Sequence, residues 1–185
     1  DVLGQLLTEK HDGVVVNAMV YDNYGNIVSK NGKAYAYDAT WKDLLTSYDG
    51  QSITYDAQGN PPSYLGHTLT WEKGRQLKNF DNTIYTYNAN SIRTSKTVNG
   101  EKTVFVWDGD QLVMELSESG KVQKRYIRGI DLVYADKGKD TEKQYYVTDP
   151  HGNVVQLTDE SGTVIRTYEY DSFGNEVNPD RKDEN

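Results

Sequence analysis

The sequence predicts an all-β fold, an antiparallel meander of β-hairpins. Turn signals built from Gly, Asn and Asp recur at spacings of roughly six to twelve residues, which is typical of short paired strands. No segment sustains the apolar period of a helix. The chain also has 15 Tyr among 185 residues, and aromatic residues favour strands. We therefore expect about fourteen to seventeen short strands and essentially no helix.

One class of turn is a repeated hexapeptide. Tyr21-Asp22-x-x-Gly25-Asn26 recurs over residues 55–60 and 170–175, and without its leading Tyr over residues 149–153. Asp accepts hydrogen bonds from backbone N–H groups of its own turn. Gly then enters the left-handed region as a β-bulge residue at little steric cost. The hexapeptide is therefore interpreted as scaffold, a strand end followed by a tight reversal.

A second class of turn lies between these copies. The dipeptides Asn31-Gly32, Asp49-Gly50 and Asn99-Gly100 fit two-residue type I′ hairpins, in which both residues have positive φ. Ser119-Gly120 and Ser161-Gly162 are interpreted as weaker versions of the same turn.

The strand flanks alternate between two faces. Around the first dipeptide, Tyr35 and Tyr37 share one face of a strand. Beyond the last dipeptide, Thr103, Phe105 and Trp107 share a face, with Val104 and Val106 on the other.

Two copies of the hexapeptide depart from its pattern. Asp38–Trp41 lacks the Gly, and Asn88–Ser91 has neither the Asp nor the Gly, so both turns are expected to be looser, wider or more costly. Ser91 occupies the Gly position of its copy. Because Asn tolerates the left-handed conformation better than Ser, we expect the turn to shift so that Asn90 takes it. The helix candidate DATWKDLLTSY is too short to be predicted as a helix.

Composition excludes several function classes. The net charge of −8 argues against binding nucleic acid or an anionic membrane by charge. The chain has no Cys, which excludes disulfides, thiolate zinc sites and a Cys nucleophile. No apolar run approaches the length of a membrane span, and Asp1–Gly4 has no signal-peptide anatomy. We expect the chain to be a piece of a longer protein.

Aligned turns reveal an imperfect repeat. Tyr21 to Tyr55 spans 34 residues, Tyr55 to Tyr87 spans 32, and Trp107 to Tyr126 spans 19. These Tyr-Asp repeats with Gly-Asn turns resemble the YD/RHS repeat family of bacterial Rhs proteins, wall-associated polymorphic toxins, Tc toxin C components and teneurins. The closest stretches are YDNYGNIVSKNGKAYAYD and SITYDAQGNPPSYLGHTLTWEKGRQL. The resemblance implies one repeat domain over residues 1–185, with repeats to about residue 143 and a segment over about 144–177 like that before the family's core terminus.

The resemblance also implies a function. In family members a long β-sheet spirals into a hollow shell that encloses or holds a C-terminal toxin domain, so the resemblance implies that this chain is part of such a spiralling β-sheet shell. The expected partners are the rest of the shell and that domain, in a secreted or cell-surface bacterial protein. An excised piece with open edge strands is expected to dimerise edge to edge. The self-cleaving segment that ends the core in family members is missing. Asp149–Asn153 superficially resembles the end of that segment, but it lacks the segment's final Leu and precedes another repeat. No autoproteolytic residue can be assigned, and we expect no enzyme activity.

No catalytic, metal or cofactor site is predicted. The three histidines, His11, His67 and His151, have no metal-ligand spacing. The Asp turns lack a calcium-loop pattern. The acidic pairs Asp108/Asp110 and Asp159/Glu160 are expected to be solvated turn carboxylates rather than a glycosidase pair.

The aromatic residues leave two interpretations. They either form cross-strand ladders that hold a thin sheet together, which is the favoured hypothesis, or present exposed rings to a cell-wall or surface glycan. The residues concerned are Tyr35, Tyr37, Tyr55, Tyr85, Tyr87, Trp107, Tyr126, Tyr146, Tyr168 and Tyr170.

Overall fold

The structure, a computed structural model, describes residues 1–138 and 142–177. Those residues form eighteen antiparallel strands and no helix, which confirms the predicted hairpin meander. The number of strands is slightly higher than expected, because two strands of two residues each lie between longer ones. None of the described residues forms a helix that could cross a bilayer.

The chain divides into two compact units, Asp1–Asp81 and Asn82–Asn185. The assignment of residues 1–185 to one repeat domain, with a distinct segment over 144–177, stays a prediction. In the first unit, β1 to β6 pair in chain order and β7 to β9 pair in chain order. Its strands are β1 (Thr8–His11), β2 (Val14–Tyr21), β3 (Ile27–Lys30), β4 (Lys33–Tyr37), β5 (Leu45–Tyr48), β6 (Gln51–Ser52), β7 (Ser63–Tyr64), β8 (His67–Glu72) and β9 (Gln76–Phe80).

The second unit is one run of nine strands that also pair in chain order. They are β10 (Thr83–Tyr87), β11 (Arg93–Val98), β12 (Glu101–Asp108), β13 (Gln111–Ser117), β14 (Val122–Arg128), β15 (Leu132–Asp136), β16 (Gln144–Thr148), β17 (Val154–Thr158) and β18 (Val164–Thr167). Neighbouring strands run in opposite directions. Successive connections along the chain therefore alternate between the two ends of the sheet.

The two-residue hairpins are where the dipeptides predict them. Asn31 and Gly32 have φ of 53° and 80°, and Asn99 and Gly100 have φ of 51° and 85°, as a type I′ turn requires. Asp49 and Gly50 also both have positive φ. An Asn or Asp followed by Gly supplies both left-handed residues without a β-branched side chain in that region.

Two dipeptides were assigned to the wrong class. Ser119-Gly120 and Ser161-Gly162 are not two-residue hairpins but belong to five-residue turns, 117–121 and 159–163. In each turn the Gly N–H donates to the carbonyl of the first residue, at 2.9 Å to Ser117 and 3.1 Å to Asp159. The side chain of the first residue favours the five-residue turn. Ser117 Oγ accepts the Lys121 N–H, and Asp159 Oδ1 accepts the Thr163 N–H.

The two irregular copies of the hexapeptide behave differently. Without Gly, the Asp38 turn widens, and the Asp38 N–H donates to the Leu44 carbonyl at 2.9 Å. The Asn88 turn keeps the five-residue form, with the Ser91 N–H donating to the Asn88 carbonyl at 3.1 Å. Ser91 has φ of 62°, so the expected shift to Asn90 is wrong. Asn88 Oδ1 accepts the N–H groups of Asn90 and Ile92, which fixes the register of the turn.

This geometry predicts the effect of replacing Ser91. The left-handed conformation costs a non-Gly residue about 1 kcal/mol. Ser91→Gly is therefore expected to raise the free energy of unfolding by about 0.5–1 kcal/mol once the added entropy of the unfolded chain is subtracted. Asn90→Gly, one position earlier, is the control and is expected to be neutral or destabilising. Urea denaturation midpoints measure both variants, and stabilisation by Asn90→Gly instead would contradict the assignment.

The buried apolar side chains of the described residues are few and lie on the strands or directly after them. The buried apolar residues are Met19, Ile53, Ala135, Leu157 and Tyr168. The rest of the strand residues are mostly half-buried, as expected of a thin sheet without a helical layer over it. Stability therefore depends heavily on hydrogen bonds and on contacts between half-buried side chains.

Candidate functional site: linked Asp turns and an aromatic groove

Each Asp turn is closed by its own carboxylate. Asp56 Oδ1 accepts the N–H groups of Gln58 and Asn60, both at 2.9 Å, and Asp56 Oδ2 accepts Asn60 Nδ2 at 3.0 Å. The Gly59 N–H donates to the Asp56 carbonyl at 3.0 Å, and Gly59 has φ of 81°. The turns at Asp22, Asp149 and Asp171 have the same bonds. The hydrogen bonds that close the turn thus explain why the same residues recur in each copy of the hexapeptide.

A further turn of this type lies at the chain start. Asp1 Oδ1 accepts the N–H groups of Leu3 and Gln5 at 2.9 Å each, and the Gly4 N–H donates to the Asp1 carbonyl at 3.2 Å. This turn was not predicted, although its signal, an Asp followed three residues later by a Gly, is present at residues 1–4.

The hydrogen bonds favour the ionised carboxylates. The Asn60 N–H and side-chain amide lower the pKa of Asp56, and the Asn26 side-chain amide lowers the pKa of Asp22. The Asn153 amide and the Ser161 hydroxyl act in the same way on the pKa values of Asp149 and Asp159. Both carboxylate oxygens accept hydrogen bonds at Asp22, Asp56 and Asp149, whereas the bonds of Asp159 go to Oδ1. Within the described residues, no group of three or more acidic or His side chains could hold a metal ion.

These shifts predict an acid dependence of stability. A carboxyl pKa that is lower in the folded state contributes stability above the unfolded value of about 3.9, and this contribution is lost as the pH falls through the folded pKa. We expect the free energy of unfolding to fall with decreasing pH from about pH 4 downward. Asp56→Asn keeps an oxygen acceptor but does not titrate. The free energy of unfolding of this variant should therefore fall less steeply with decreasing pH below about pH 4. Urea titrations at several pH values measure the slope, and equal slopes would contradict the assignment.

Aromatic residues link one turn to the turn before it. The Tyr37 hydroxyl donates to the Ile27 carbonyl at 2.9 Å, and Ile27 directly follows the turn 22–26. The Tyr170 hydroxyl donates to the Val154 carbonyl at 3.0 Å, directly after the turn 149–153. We call each such contact an inter-turn hydrogen bond. The same relation holds for Tyr21 with Leu6, Tyr55 with Leu45, Trp71 with Pro61 and Trp107 with Arg93.

The aromatic residue of the hexapeptide is therefore a hydrogen-bond donor as well as a packing surface. Trp71 and Trp107 use the indole N–H at 2.8 Å, so a Trp replaces a Tyr at this position without loss of the contact. The sequence gives no direct signal for the acceptor, because the acceptor is a main-chain carbonyl at or near the start of the preceding strand and has no side-chain signature.

Removing one hydroxyl tests the inter-turn hydrogen bond. Tyr37→Phe keeps the ring but leaves the half-buried Ile27 carbonyl without this donor, so we expect the free energy of unfolding to fall by about 0.5–1.5 kcal/mol. Tyr24→Phe is the matched control, because Tyr24 is 68% exposed and lies in the turn itself. Chemical denaturation measures both, and equal effects of the two changes would contradict a special role of Tyr37.

In two of the Asp turns, the Asn side chain links the turn to the following one. Asn26 Nδ2 donates to the Lys42 carbonyl at 2.9 Å, and Asn60 Nδ2 donates to the Gly74 carbonyl at 2.6 Å. Both amides also bind the Asp of their own turn. A turn such as 56–60 is thus tied to its neighbours by Tyr55 on one side and by Asn60 on the other.

The aromatic residues do not form a continuous ladder. Cross-strand ring contacts join Tyr35 to Tyr48 at 4.9 Å and Tyr134 to Tyr145 at 5.3 Å between ring centroids. Other rings contact cations, such as the Arg93 guanidinium 4.3 Å from the centroid of Tyr85. The ten residues singled out by sequence are all buried or half-buried, and the most exposed aromatic side chains lie in turns instead, Tyr24 at 68% and Trp41 at 64%.

The remaining sequence candidates lie apart and have local partners. His67 Nδ1 is 2.7 Å from Asp81 Oδ2, and His11 Nε2 is 3.3 Å from Glu9 Oε1. His151 lies in the turn 149–153, where its N–H binds Asp149. Asp108 and Asp110 flank the β12–β13 connection. Asp159 closes its own turn, whereas Glu160 pairs with Lys143 Nζ at 3.2 Å. The expectation that these carboxylates do not form a catalytic pair stays a prediction.

One groove in the second unit combines aromatic and charged side chains. It has a volume of about 520 Å³ and opens between the turn 88–92 and the β12–β13 connection. Its lining residues are Tyr87, Ser91, Ile92, Arg93, Phe105, Trp107, Asp110 and Leu112. Aromatic rings beside Arg and Asp side chains are suited to a ligand with both apolar faces and hydroxyl groups.

Comparison with known proteins identifies the repeat. Residues 149–178 match the RHS Repeat family. The chain is 33% identical over 200 residues to the "tRNA3(Ser)-specific nuclease WapA" of Bacillus spizizenii, a match that covers 98% of this chain and 8% of that protein. The chain belongs to the RHS-repeat family. This RHS-repeat chain is also 32% identical over 197 residues to the "tRNA nuclease WapA" of Bacillus subtilis, covering 98% of the chain and 8% of the relative.

The RHS-repeat chain thus spans 8% of the length of each of these relatives. Among solved structures, it is similar to a chain in "Crystal Structure of TcdB2-TccC3-TEV", with a TM-score of 0.48 and 13% identity over 86% of this chain and 10% of that one. The predicted family is confirmed.

Proposed function

We propose that this RHS-repeat chain is a structural module of a longer secreted or cell-surface bacterial protein, in which it forms part of a β-shell that encloses or presents a C-terminal toxin-like domain. The observation that carries the proposal is the set of inter-turn hydrogen bonds, which repeat from Tyr21 to Tyr170. Each repeat offers a carbonyl to the next, so that a sheet can be extended repeat by repeat. The flanking repeats of the same polypeptide are the natural partners of the edge strands β1 and β18.

The toxin-like part lies outside this chain in the proposal. The relatives are named as tRNA nucleases, but the chain matches only 8% of their length. A chain with net charge −8 is also poorly suited to hold tRNA by phosphate contacts. The isolated chain is therefore expected to leave tRNA intact, and specific cleavage of tRNA by the purified chain would contradict this assignment.

Protease protection tests the encapsulating role. A specific protease site is introduced into the C-terminal domain of the full-length protein, and the same site is placed in an exposed N-terminal tag as control. If the shell encloses the domain, cleavage in the domain should be much slower than in the tag until denaturant opens the shell. Equal cleavage rates at both positions in the native protein would contradict enclosure.

The aromatic groove favours a second function, the binding of a cell-wall or surface glycan. Sugar rings pack on aromatic side chains such as Phe105 and Trp107, and their hydroxyl groups can bind Arg93 or Asp110, all of which line the groove. Sedimentation of the chain with purified peptidoglycan tests this function. Trp107→Ala should abolish binding and Trp41→Ala, which changes an exposed Trp elsewhere, should not. Absence of wild-type binding would remove this candidate.

The edge-to-edge dimer expected from the sequence also remains a proposal. In the full-length protein, the edge strands would pair with flanking repeats, so association should be a property of the isolated chain. Sedimentation velocity over a range of concentrations tests it, and a monomer at all concentrations would contradict it.

A further inference from the structure

The chain contains two Asn-Gly dipeptides, at residues 31–32 and 99–100. In such a dipeptide, the Gly nitrogen can attack the Asn side-chain carbonyl, since Gly has no side chain to hinder the approach. Both dipeptides form the tip of a two-residue hairpin with nearly the same main-chain angles, φ of 53° and 80° in the first and 51° and 85° in the second. The chain therefore holds a matched pair of potential modification sites that differ only in their surroundings.

The Asn31 side chain is held at both of its polar atoms. Asn31 Oδ1 accepts the Ala18 N–H at 2.8 Å, and Asn31 Nδ2 donates to Asn17 Oδ1 at 2.7 Å. Asn17 is itself 8% exposed, and its Nδ2 donates to Glu9 Oε2 at 2.7 Å. Turning the Asn31 carbonyl carbon toward the Gly32 nitrogen requires both bonds of Asn31 to break.

The Asn99 side chain has no such restraint. It is exposed, and no described residue makes a hydrogen bond with it. Apart from the adjacent residues of the chain, no heavy atom lies within 4 Å of the position that a Cβ on Gly100 would take, and the same is true at Gly32, so the two sites differ in the hydrogen bonds of the Asn side chain. The side chain can therefore rotate toward the Gly100 nitrogen without losing a contact to the described part of the chain.

We propose that Asn99 is a site of spontaneous deamidation and that Asn31 is protected by its hydrogen bonds to Ala18 and Asn17. The Gly100 nitrogen forms a bond to Asn99 Cγ, the Cγ–Nδ2 bond breaks, and the Gly100 proton leaves with the amide as ammonia. Water then opens the resulting succinimide at one of its two carbonyl carbons. The products are an aspartyl or an isoaspartyl residue, and no oxidant or reductant is required.

The two products have different structural consequences. An aspartyl residue suits this turn, since Asp49-Gly50 has φ of 49° and 79° at the equivalent tip of another hairpin. An isoaspartyl residue adds a methylene group to the main chain between Val98 and Glu101, which are paired in the β11–β12 register. The isoaspartyl form is therefore expected to loosen this hairpin, and both products add a negative charge to a chain whose net charge is −8.

Incubation of the purified chain in mildly alkaline buffer, followed by peptide mapping with mass spectrometry, tests the proposal. Loss of two hydrogen bonds should slow the reaction at Asn31 at least about tenfold relative to Asn99. In strong denaturant the two sites should react at similar rates, because the dipeptides are the same. Equal rates in the folded chain, or a folded Asn99 that does not react while the denatured chain does, would overturn the proposal.

Removing one hydrogen-bond partner of Asn31 gives an independent test. Asn17→Ala removes the acceptor of Asn31 Nδ2, so the rate at Asn31 should rise while the rate at Asn99 stays constant. Circular dichroism and urea denaturation of Asn17→Ala check that the unit that contains Asn31 remains folded, because unfolding of that unit would itself raise the rate at Asn31. An unchanged rate at Asn31 in a folded Asn17→Ala chain would contradict protection by this contact.

Discussion

Replacing Arg125 with Leu is expected to lower the free energy of unfolding by about 3–5 kcal/mol. Arg125 on β14 faces Asp136 on β15, and their two hydrogen bonds are 2.9 Å from Nε to Oδ1 and 2.7 Å from the terminal nitrogen to Oδ2. Asp136 is only 2% exposed. Without Arg125, its buried carboxylate would keep the Gly138 N–H at 2.7 Å but lose its counter-charge.

The pH dependence separates this effect from a loss of packing. The hydrogen bonds from Arg125 lower the pKa of Asp136, and removal of Arg125 should raise that pKa because burial favours the neutral acid. The difference in the free energy of unfolding between the wild type and Arg125→Leu should therefore shrink as the pH falls and Asp136 becomes protonated. A loss that is independent of pH would indicate that packing, rather than the unpaired charge, is responsible.

An exposed ion pair supplies the control. Lys78 Nζ lies 3.5 Å from Glu72 Oε2, and their side chains are 53% and 33% exposed. Lys78→Leu should change the free energy of unfolding by no more than about 1 kcal/mol. Urea denaturation measures both variants, and a loss in Arg125→Leu no larger than in Lys78→Leu would contradict the prediction.

Truncation of Leu157 to Ala is expected to lower the free energy of unfolding by about 2–5 kcal/mol. Leu157 on β17 is 3% exposed and lies opposite Tyr146 on β16 and Arg166 on β18. Leu157 is one of few buried apolar side chains among the described residues, and its neighbours lie on two hydrogen-bonded strands, β16 and β18. The removed methyl groups therefore cost both their transfer free energy and a cavity.

Val147→Ala on the adjacent strand is the control for Leu157. Val147 is 39% exposed, so its truncation should cost below about 1 kcal/mol. Denaturant midpoints and slopes of both variants are compared with the wild type. A Leu157→Ala chain as stable as Val147→Ala would show that the β16–β18 region relaxes to fill the space.

The hairpins could be predicted from sequence because their determinants are local. Asn31-Gly32 defines its turn through its own left-handed residues, whatever the rest of the chain does. The Asn88 turn shows the limit of this reasoning. The conformational preference of Asn90 over Ser91 is small, whereas Asn88 Oδ1 binds two N–H groups and fixes the register, so side-chain hydrogen bonding overrides the local preference.

The contacts across paired strands could not be predicted in the same way. Arg125 and Asp136 meet only because β14 and β15 pair in one register, which shifts by a residue between Ile127 and Arg128. The carbonyl that Tyr37 contacts belongs to Ile27 on another strand and carries no side-chain signature. Such contacts depend on bulges and strand order together, which a single sequence does not specify.

The direction of the inter-turn hydrogen bonds has a consequence for synthesis. Each donor follows its acceptor in the chain, as Tyr37 follows Ile27 and Tyr170 follows Val154. During translation, the aromatic donor of each of these bonds therefore leaves the ribosome after its acceptor carbonyl, whereas the amide donors Asn26 and Asn60 wait for the later carbonyls of Lys42 and Gly74. The sheet can therefore grow at its C-terminal end, where each new aromatic residue bonds to the strand that was made just before its own.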